Sequence, residues 1–227
     1  MVHYPNLLFD ADNTLFDFDA ANHNAFAQVC AYCGIPYNEE TYQQYETINQ
    51  SLWAALNRGE VTKDFLVVER FRRFLPLVNA DRDPVECNRR HLAHLGESTV
   101  LLPHALEVCR TLAQDHKLYI VTNAVASVQK RRLAESAIAP YITATFISED
   151  AGAAKPSLAY FDYVFAHVSD LTTENALLIG DSLASDIQGA NNAGFPSCWY
   201  NPQRETLPDG IHANYVISDL QELYNIV

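Results

Sequence analysis

The stretch NLLFDADNTLF, residues 6–16, decides the fold of this chain. Its apolar run, Leu7 to Phe9, is typical of a short buried strand, and Asp10 and Asp12 follow that run directly. Residues i and i+2 of an extended chain point the same way, so both carboxylates reach one place. Because like charges raise each other's cost of ionisation, the pair predicts a site that needs two carboxylates. Binding of a cation, reaction with a phosphoryl group or transfer of a proton would each explain two carboxylates at one place.

A second pattern begins after this stretch. Helix signals follow one another from Ala20 to Gly96 without a convincing strand. The predicted helix caps are Asp19, Asn38, Thr62 and Asp83, with Pro84 at a first helical position. We therefore expect a small all-helical insert directly after the first strand.

From Pro103 onward, predicted strands alternate with predicted helices. The strands are Lys117 to Asn123, Ala144 to Ser148, Ala176 to Asp181, Ser197 to Tyr200 and Tyr215 to Ile217, and Ser218 is the predicted cap of the last helix. Such alternation is typical of a parallel sheet covered by helices on both faces. The predicted fold is therefore α/β, with a doubly wound parallel-sheet (Rossmann-like) core in residues 1–16 and 98–227 and an α-helical domain inserted as residues 17–97.

Polar side chains follow four of the predicted strands. In doubly wound sheets, sites form at the carboxyl ends of strands, near the point where strand order reverses. The candidate site residues are Asp10, Asp12, Thr122, Asn123, Lys155, Asp181 and Asp186. Four carboxylates beside one lysine call for a cation, and oxygen ligands without histidine or cysteine favour Mg²⁺. Thr122 and Asn123 precede a helix, where backbone N–H groups receive phosphoryl oxygens.

Four segments between Asp10 and Asp186 resemble, in order, the four motifs of the haloacid dehalogenase superfamily of phosphatases. They are DADNTL, VTNA, AKPS and GDSLASD. The helical insert is similar to the superfamily's α-helical cap, and the strand pattern extends the likeness over nearly the whole chain. Asn13 departs from the pattern, since many members carry glycine there.

The resemblance implies a role for each motif residue. Asp10 is expected to be the nucleophile that forms an aspartyl-phosphate. Asp12 is expected to protonate the leaving oxygen and then to activate water. Such covalent catalysis splits one hard displacement into two easier ones. The implied phosphoryl-binding residues are Thr122 and Lys155, and the implied Mg²⁺ ligands are Asp10, the backbone carbonyl of Asp12, and Asp181, with Asp186 in support.

The insert and the later motifs also resemble those of the bacterial pyrimidine 5′-nucleotidases. Asn49 and Trp53, in the segment INQSLWAALNRGE, match that group's cap pattern and are candidate substrate contacts. The expected substrates are therefore nucleoside monophosphates, pyrimidine ones above all. A sugar-phosphate phosphatase or phosphomutase of the same superfamily is an alternative, because it shares the core and the cap type. Dehalogenases of the superfamily lack a counterpart of Asp12, which argues against that activity.

A non-enzymatic alternative is a receiver-like phosphorylation switch. Receiver domains also place an acidic cluster, a threonine and a lysine on a doubly wound sheet. They lack a large helical insert after the first strand, so the insert favours the enzyme.

Composition limits the partners that we expect. Fifteen basic against 28 acidic residues give a formal net charge of −13 over 227 residues, which disfavours nucleic-acid polymers and anionic membranes. We expect a small phosphate ester as partner and a monomer or a small homo-oligomer. Five cysteines without a signal-peptide pattern lead us to expect a cytoplasmic protein with reduced thiols.

Overall fold

The computed structural model describes residues 4–227. The chain forms two compact units. The core unit comprises Met1–Phe18 and Thr99–Val227, and the helical unit comprises Asp19–Ser98. No helix within residues 4–227 has both the length and the apolar character needed to cross a membrane.

The core unit contains a six-stranded sheet in which all neighbouring strands pair in parallel. The strands are β1 (Asn6–Phe9), β2 (Lys117–Thr122), β3 (Ile142–Ile147), β4 (Ala176–Gly180), β5 (Ser197–Tyr200) and β6 (Tyr215–Ile217). Their order across the sheet is β3-β2-β1-β4-β5-β6. The chain winds outward from β1 to one edge and then returns beside β1 to build the other half, so strand order reverses between β1 and β4. This confirms the predicted doubly wound α/β fold.

Alternation along β1 explains why this sheet needs cover on both faces. Leu7 and Phe9 belong to one fully buried apolar cluster, and Leu8 belongs to a second cluster. Successive strand residues point to opposite faces, so the two clusters fill the two faces. Helices provide that cover in the core unit, and their ranges are α5 (Ala105–Leu112), α6 (Ala126–Glu135), α7 (Ser148–Ala151), α8 (Leu158–His167) and α9 (Gln188–Ala193).

The helical unit is built from four helices, the first of which starts one residue inside the core unit. They are α1 (Phe18–Cys33), α2 (Glu39–Asn57), α3 (Lys63–Leu77) and α4 (Pro84–Glu97). Asn38, Thr62 and Asp83 accept hydrogen bonds from backbone N–H groups at the starts of the last three helices, which confirms these predicted caps.

Two predicted caps are wrong, by two residues at the start of α1 and by one residue at the C-terminus. Asp19 lies inside the first turn of α1 because the helix already begins at Phe18, whose N–H donates to Asn13 Oδ1. A carboxylate in the first turn still favours the helix dipole. At the C-terminus, Asp219 and not Ser218 caps a final 3₁₀ helix, Leu220–Asn225. Asp219 accepts from the N–H of Gln221, and a reciprocal capping box with Glu222 fixes that register.

Candidate active site

The loop after β1 directs the first two aspartates. The N–H of Asp10 still donates to Ile179 O at 2.8 Å, so Asp10 continues the pairing of β1 with β4. The chain then turns tightly, since Ala11 O accepts from the N–H groups of both Leu15 and Phe16 at 2.9 Å. Within this turn Asn13 has φ of 58°. Asparagine and glycine tolerate this left-handed conformation best, which explains why Asn13 can stand where the resemblance leads us to expect glycine.

Lys155 is the central cation of the site. Its ammonium nitrogen lies 2.6 Å from Asp10 Oδ1, 2.6 Å from Asp186 Oδ1 and 2.7 Å from Val121 O. Its side chain is almost entirely buried. One lysine therefore joins the ends of β1, β2 and the segment after β4, although Lys155 itself follows α7 in the chain.

Burial and crowding shift the pKa values of these groups in opposing ways. Burial alone would lower the pKa of the Lys155 ammonium, yet the carboxylates of Asp10 and Asp186 raise it above its ordinary value. Burial also raises the pKa of Asp10 well above its usual range; Lys155 opposes this shift, and neighbouring carboxylates add to it. Asp10 thus lies in a pocket that penalises its negative charge unless cations surround it.

Asp186 packs directly beneath the end of β4. It is buried, and its Oδ2 accepts from the N–H of Ser182 at 3.0 Å. A Cβ built on Gly180 would lie 2.4 Å from the Asp186 carboxyl group. No side chain fits there, so glycine before Asp181 is a steric requirement of this site. A π-helical turn, Leu183–Ile187, carries Asp186 back to this position.

Asp181 is held at both its side chain and its backbone. Thr14 Oγ1 donates to Asp181 Oδ1 at 3.2 Å and accepts from the N–H of Asp181 at 3.1 Å. The indole N–H of Trp199 donates to Asp181 O at 2.8 Å. Burial and the charge of Asp186 raise the pKa of Asp181 to about 7, partly offset by the hydrogen bond from Thr14.

Three of the predicted ligands form a group that suits a hard divalent cation. Each of Asp10, Asp181 and Asp186 offers a carboxylate oxygen, and these oxygens lie within 4.8 Å of one another. Within residues 4–227 this is the only such group of three or more histidine, cysteine, aspartate or glutamate side chains. All its donors are oxygens, the ligand type that Mg²⁺ prefers. The residues present therefore fit the implied ion.

The carboxylate of Asp12 does not join that group. It forms an ion pair with Arg132, a fully buried residue of α6. The carbonyl role that the resemblance implies for Asp12 is a separate matter and stays a prediction.

Thr122 and Asn123 lie where β2 ends. Thr122 is buried, and its Oγ1 accepts from the N–H of Ala124 at 3.1 Å. Asn123 makes a reciprocal pair with the backbone of Lys155: its Nδ2 donates to Lys155 O and its Oδ1 accepts from Lys155 N, both at 2.9 Å. The Asn123 side chain thus fastens the loop that presents Lys155.

The two candidate substrate contacts belong to the helical unit. Asn49 is buried, its Oδ1 accepts from Arg70 Nη1 at 3.2 Å, and its Nδ2 donates to Glu46 Oε2 at 3.3 Å. Its amide is therefore engaged at both ends inside the unit, which argues against a direct substrate contact. Trp53, one turn further along α2, is half-buried.

Sequence reasoning missed three residues that support the site: Thr14, Arg132 and Trp199. Their partners lie far away in the chain, so no local motif links them. Helical spacing offers one signal, because Val128 and Arg132 lie four residues apart on the same face of α6 and both are buried. Within the basic run QKRR, Arg132 lies on this buried face, whereas Lys130 and Arg131 do not.

Comparisons with known proteins agree with this geometry. The family model for haloacid dehalogenase-like hydrolases matches residues 4–194. The HAD-hydrolase YfnB of Bacillus subtilis is 38% identical over 100% of this chain and 97% of that protein. Its crystal structure bound to magnesium superposes with a TM-score of 0.94, covering 99% of this chain and 98% of that one.

Two further relatives carry an activity in their names. The pyrimidine 5′-nucleotidase PynA of Streptococcus pneumoniae is 33% identical over 97% of this chain and 93% of that protein. The pyrimidine 5′-nucleotidase YjjG of Escherichia coli is 29% identical over 97% of this chain and 96% of that protein. With the match of the family model to most of its length, the chain belongs to the haloacid dehalogenase-like hydrolases.

Proposed function

We propose that this chain is a Mg²⁺-dependent phosphomonoester hydrolase that acts on pyrimidine nucleoside 5′-monophosphates through an aspartyl-phosphate on Asp10. The observation that carries the proposal is the contact of Lys155 Nζ with both Asp10 and Asp186, at 2.6 Å each. A buried ammonium beside a buried carboxylate is suited to receive an anionic group at the attacking oxygen.

In the first step a carboxylate oxygen of Asp10 attacks phosphorus. A new O–P bond forms while the bond from phosphorus to the leaving oxygen breaks, and Asp12 gives that oxygen a proton. Two aspartates share the end of β1 because one attacks while the other transfers protons.

In the second step water attacks the phosphorus of the aspartyl-phosphate. Asp12 takes the proton from water, the bond between phosphorus and Asp10 breaks, and inorganic phosphate leaves. Lys155 neutralises phosphoryl oxygens throughout, and backbone N–H groups after Thr122 bind them.

The residues that would hold Mg²⁺ are Asp10 and Asp181, with Asp186 orienting the site from below. When bound, the ion neutralises charge on the ester and keeps the nearby carboxylates ionised. The magnesium-bound structure of YfnB and the oxygen-only donor set support this assignment.

The choice of substrate rests on the two relatives named as pyrimidine 5′-nucleotidases. The test is a hydrolysis screen over uridine, thymidine and adenosine 5′-monophosphates, several sugar phosphates and 4-nitrophenyl phosphate, each with Mg²⁺ and with excess chelator. We expect Mg²⁺-dependent release of phosphate, fastest from the pyrimidine nucleotides.

Each part of the proposal fails on a different result. Full activity in excess chelator would reject the metal. Hydrolysis of sugar phosphates with no turnover of nucleotides would replace the proposed substrate by the sugar-phosphate alternative. No hydrolysis of any ester would reject the phosphatase.

A further inference from the structure

Arg132 is an unusual residue for the place that it occupies. It is fully buried in the core unit, yet it carries a guanidinium group. Its Nη1 contacts Asp12 Oδ1, and its guanidinium carbon lies 4.5 Å from the centre of the Phe16 ring. Gln129 Oε1 accepts a longer hydrogen bond from the same Nη1, at 3.4 Å.

The two main partners of Arg132 come from one loop. Asp12 and Phe16 pair with each other across the tight turn that follows β1. Arg132 therefore contacts both sides of that turn, the carboxylate through a charged hydrogen bond and the ring through a cation–π contact. A planar guanidinium suits this double contact better than an ammonium does.

The contact matters because Asp12 would otherwise have freedom to move. Its side chain keeps 22% of its surface exposed, whereas the side chain of Asp10 keeps 10%. An unrestrained aspartate samples several staggered rotamers. Proton transfer needs the carboxyl group within hydrogen-bond reach of the reacting oxygen, so only part of that freedom is productive.

We propose that Arg132 is the positioning residue for Asp12: it fixes the orientation of the carboxyl group that transfers the proton. The inference rests on the proposed function. Stability alone does not explain the ion pair of Arg132 with Asp12. Apolar residues of similar volume often stabilise a fold as well as a buried ion pair does. Arg132 acts through Asp12 and has no direct contact with substrate in this scheme.

The experiment compares Arg132→Gln, Arg132→Lys, Asp12→Asn and the double variant Asp12→Asn/Arg132→Gln with the wild type. The substrates are uridine 5′-monophosphate, whose leaving alcohol needs a proton, and 4-nitrophenyl phosphate, whose leaving group does not. Arg131→Gln is the matched control, since Arg131 is the preceding residue of α6 and forms a half-exposed ion pair with Glu135. Circular dichroism and thermal unfolding establish that each variant folds.

We expect Arg132→Gln to lower kcat/KM for the nucleotide roughly 10- to 100-fold, the scale of a misplaced catalytic group. The loss of kcat/KM on 4-nitrophenyl phosphate should be much smaller, because this constant reports the step that releases the leaving group and excludes hydrolysis of the shared aspartyl-phosphate. Arg132→Lys should restore part of the activity because it keeps the charge, and Arg131→Gln should behave as wild type. In the Asp12→Asn background, Arg132→Gln should cause almost no further loss of activity.

Three results would overturn the inference. Wild-type kinetics in Arg132→Gln would do so, as would equal losses on both substrates, or a full further loss in the Asp12→Asn background. If Asp12→Asn shows the expected dependence on leaving group and Arg132→Gln does not, the inference fails while the proposed function stands. If the wild type hydrolyses neither ester, both fail. Should Arg132→Gln not fold, Arg132→Lys with and without Asp12→Asn carries the same comparison.

Discussion

Thr14 and Asp181 exchange two hydrogen bonds through one hydroxyl group, although 167 residues separate them. Thr14 Oγ1 donates to the carboxylate and accepts from the backbone N–H of Asp181. Thr14 is fully buried, so water cannot easily replace either bond. The hydroxyl therefore fixes the rotamer of a predicted Mg²⁺ ligand.

Thr14→Val should weaken Mg²⁺ binding while preserving the shape of the side chain. Partners that orient a metal ligand typically contribute about 10- to 100-fold in affinity. The measurement is the half-saturating Mg²⁺ concentration, from calorimetry and from activation of turnover. Thr14→Ser keeps the hydroxyl and should stay near the wild-type value. An unchanged Mg²⁺ affinity in Thr14→Val would show that the hydroxyl does not orient the ligand.

Asp10→Asn should abolish turnover on every substrate, because an amide oxygen is a poor nucleophile. The expected fall in kcat is about 10⁴-fold or more, as for other nucleophile removals. The amide still accepts a hydrogen bond from Lys155, so the fold should persist. Phosphate release is the readout, with mass spectrometry to exclude deamidation back to aspartate. Turnover near the wild-type rate in an intact amide variant would remove Asp10 as nucleophile.

Lys155→Met should destabilise the metal-free protein. The substitution leaves the buried carboxylate of Asp186 without its ammonium partner, and breaking a buried ion pair typically costs about 3–5 kcal/mol. The free energy of unfolding in urea with chelator present measures the loss. Mg²⁺ should restore part of it by supplying positive charge. Lys117→Met breaks an exposed pair with Asp170 and should leave the unfolding free energy nearly unchanged; an equally small effect at Lys155 would contradict the prediction.

The helical unit should lose stability in mild acid because of His91. Its Nδ1 lies 3.2 Å from Arg70 Nη2, which can only donate, so Nδ1 is the acceptor and Nε2 carries the proton towards Asn22 Oδ1 at 3.0 Å. Burial lowers the pKa of His91 well below its ordinary value, and the charge of Arg70 adds to this. A second proton, on Nδ1, would make His91 a donor that faces the donor group of Arg70.

The sign of the pH effect follows from that depressed pKa. Below about pH 6.5 the unfolded chain takes up a proton that the folded chain refuses. The contribution of His91 to the free energy of unfolding is therefore fully present above that pH. It is lost as the pH falls towards the folded-state pKa, by up to about 1.4 kcal/mol per pH unit. Urea unfolding of wild type and His91→Gln between pH 7.5 and 5 tests this. The variant should lose that part of the slope, whereas the control His94→Gln, at a partly exposed site, should keep it.

Trp53→Ala should lower kcat/KM for uridine 5′-monophosphate and spare 4-nitrophenyl phosphate. Trp53 is half-buried, and stacking of a base on an aromatic ring contributes about 1–3 kcal/mol, or roughly 5- to 150-fold. Trp53→Phe keeps a ring and should lose less. Parallel losses on both substrates would mean that Trp53 only stabilises the helical unit.

Prediction from sequence succeeded where the signal was local. The apolar runs of β1 and β4 predicted strands, and the polar residues just beyond them predicted that Asp10, Asp181 and Asp186 would meet. Parallel strands end at the same edge of a sheet, so a one-dimensional pattern is enough to place such residues together.

Prediction from sequence reaches less far where a contact is set by tertiary packing. Asn49 matched a substrate-binding pattern, and that role stays a prediction; in the structure its amide bonds to Arg70 and Glu46. Arg132 stood in a basic run that is typical of a solvated helix face, and only its partner on the loop after β1 explains its burial. Asp12 lies 120 residues from Arg132 in the chain, so helical spacing alone does not reveal that pairing.

The turn after β1 also decides how the chain accommodates residues 19–98. Asp17 N–H donates to Val100 O at 3.0 Å, and Phe16 pairs antiparallel with Leu101. The core unit thus ties its own chain together at the base of the insertion. Topologically, the whole helical unit is one long insertion whose two ends are hydrogen-bonded to each other. Since the entropic cost of closing a loop depends only weakly on its length, exchanging this insertion for another leaves the strand order of the sheet unchanged. The helical unit, which carries the candidate contact Trp53, can therefore be replaced as a module without any change to the residues at the strand ends.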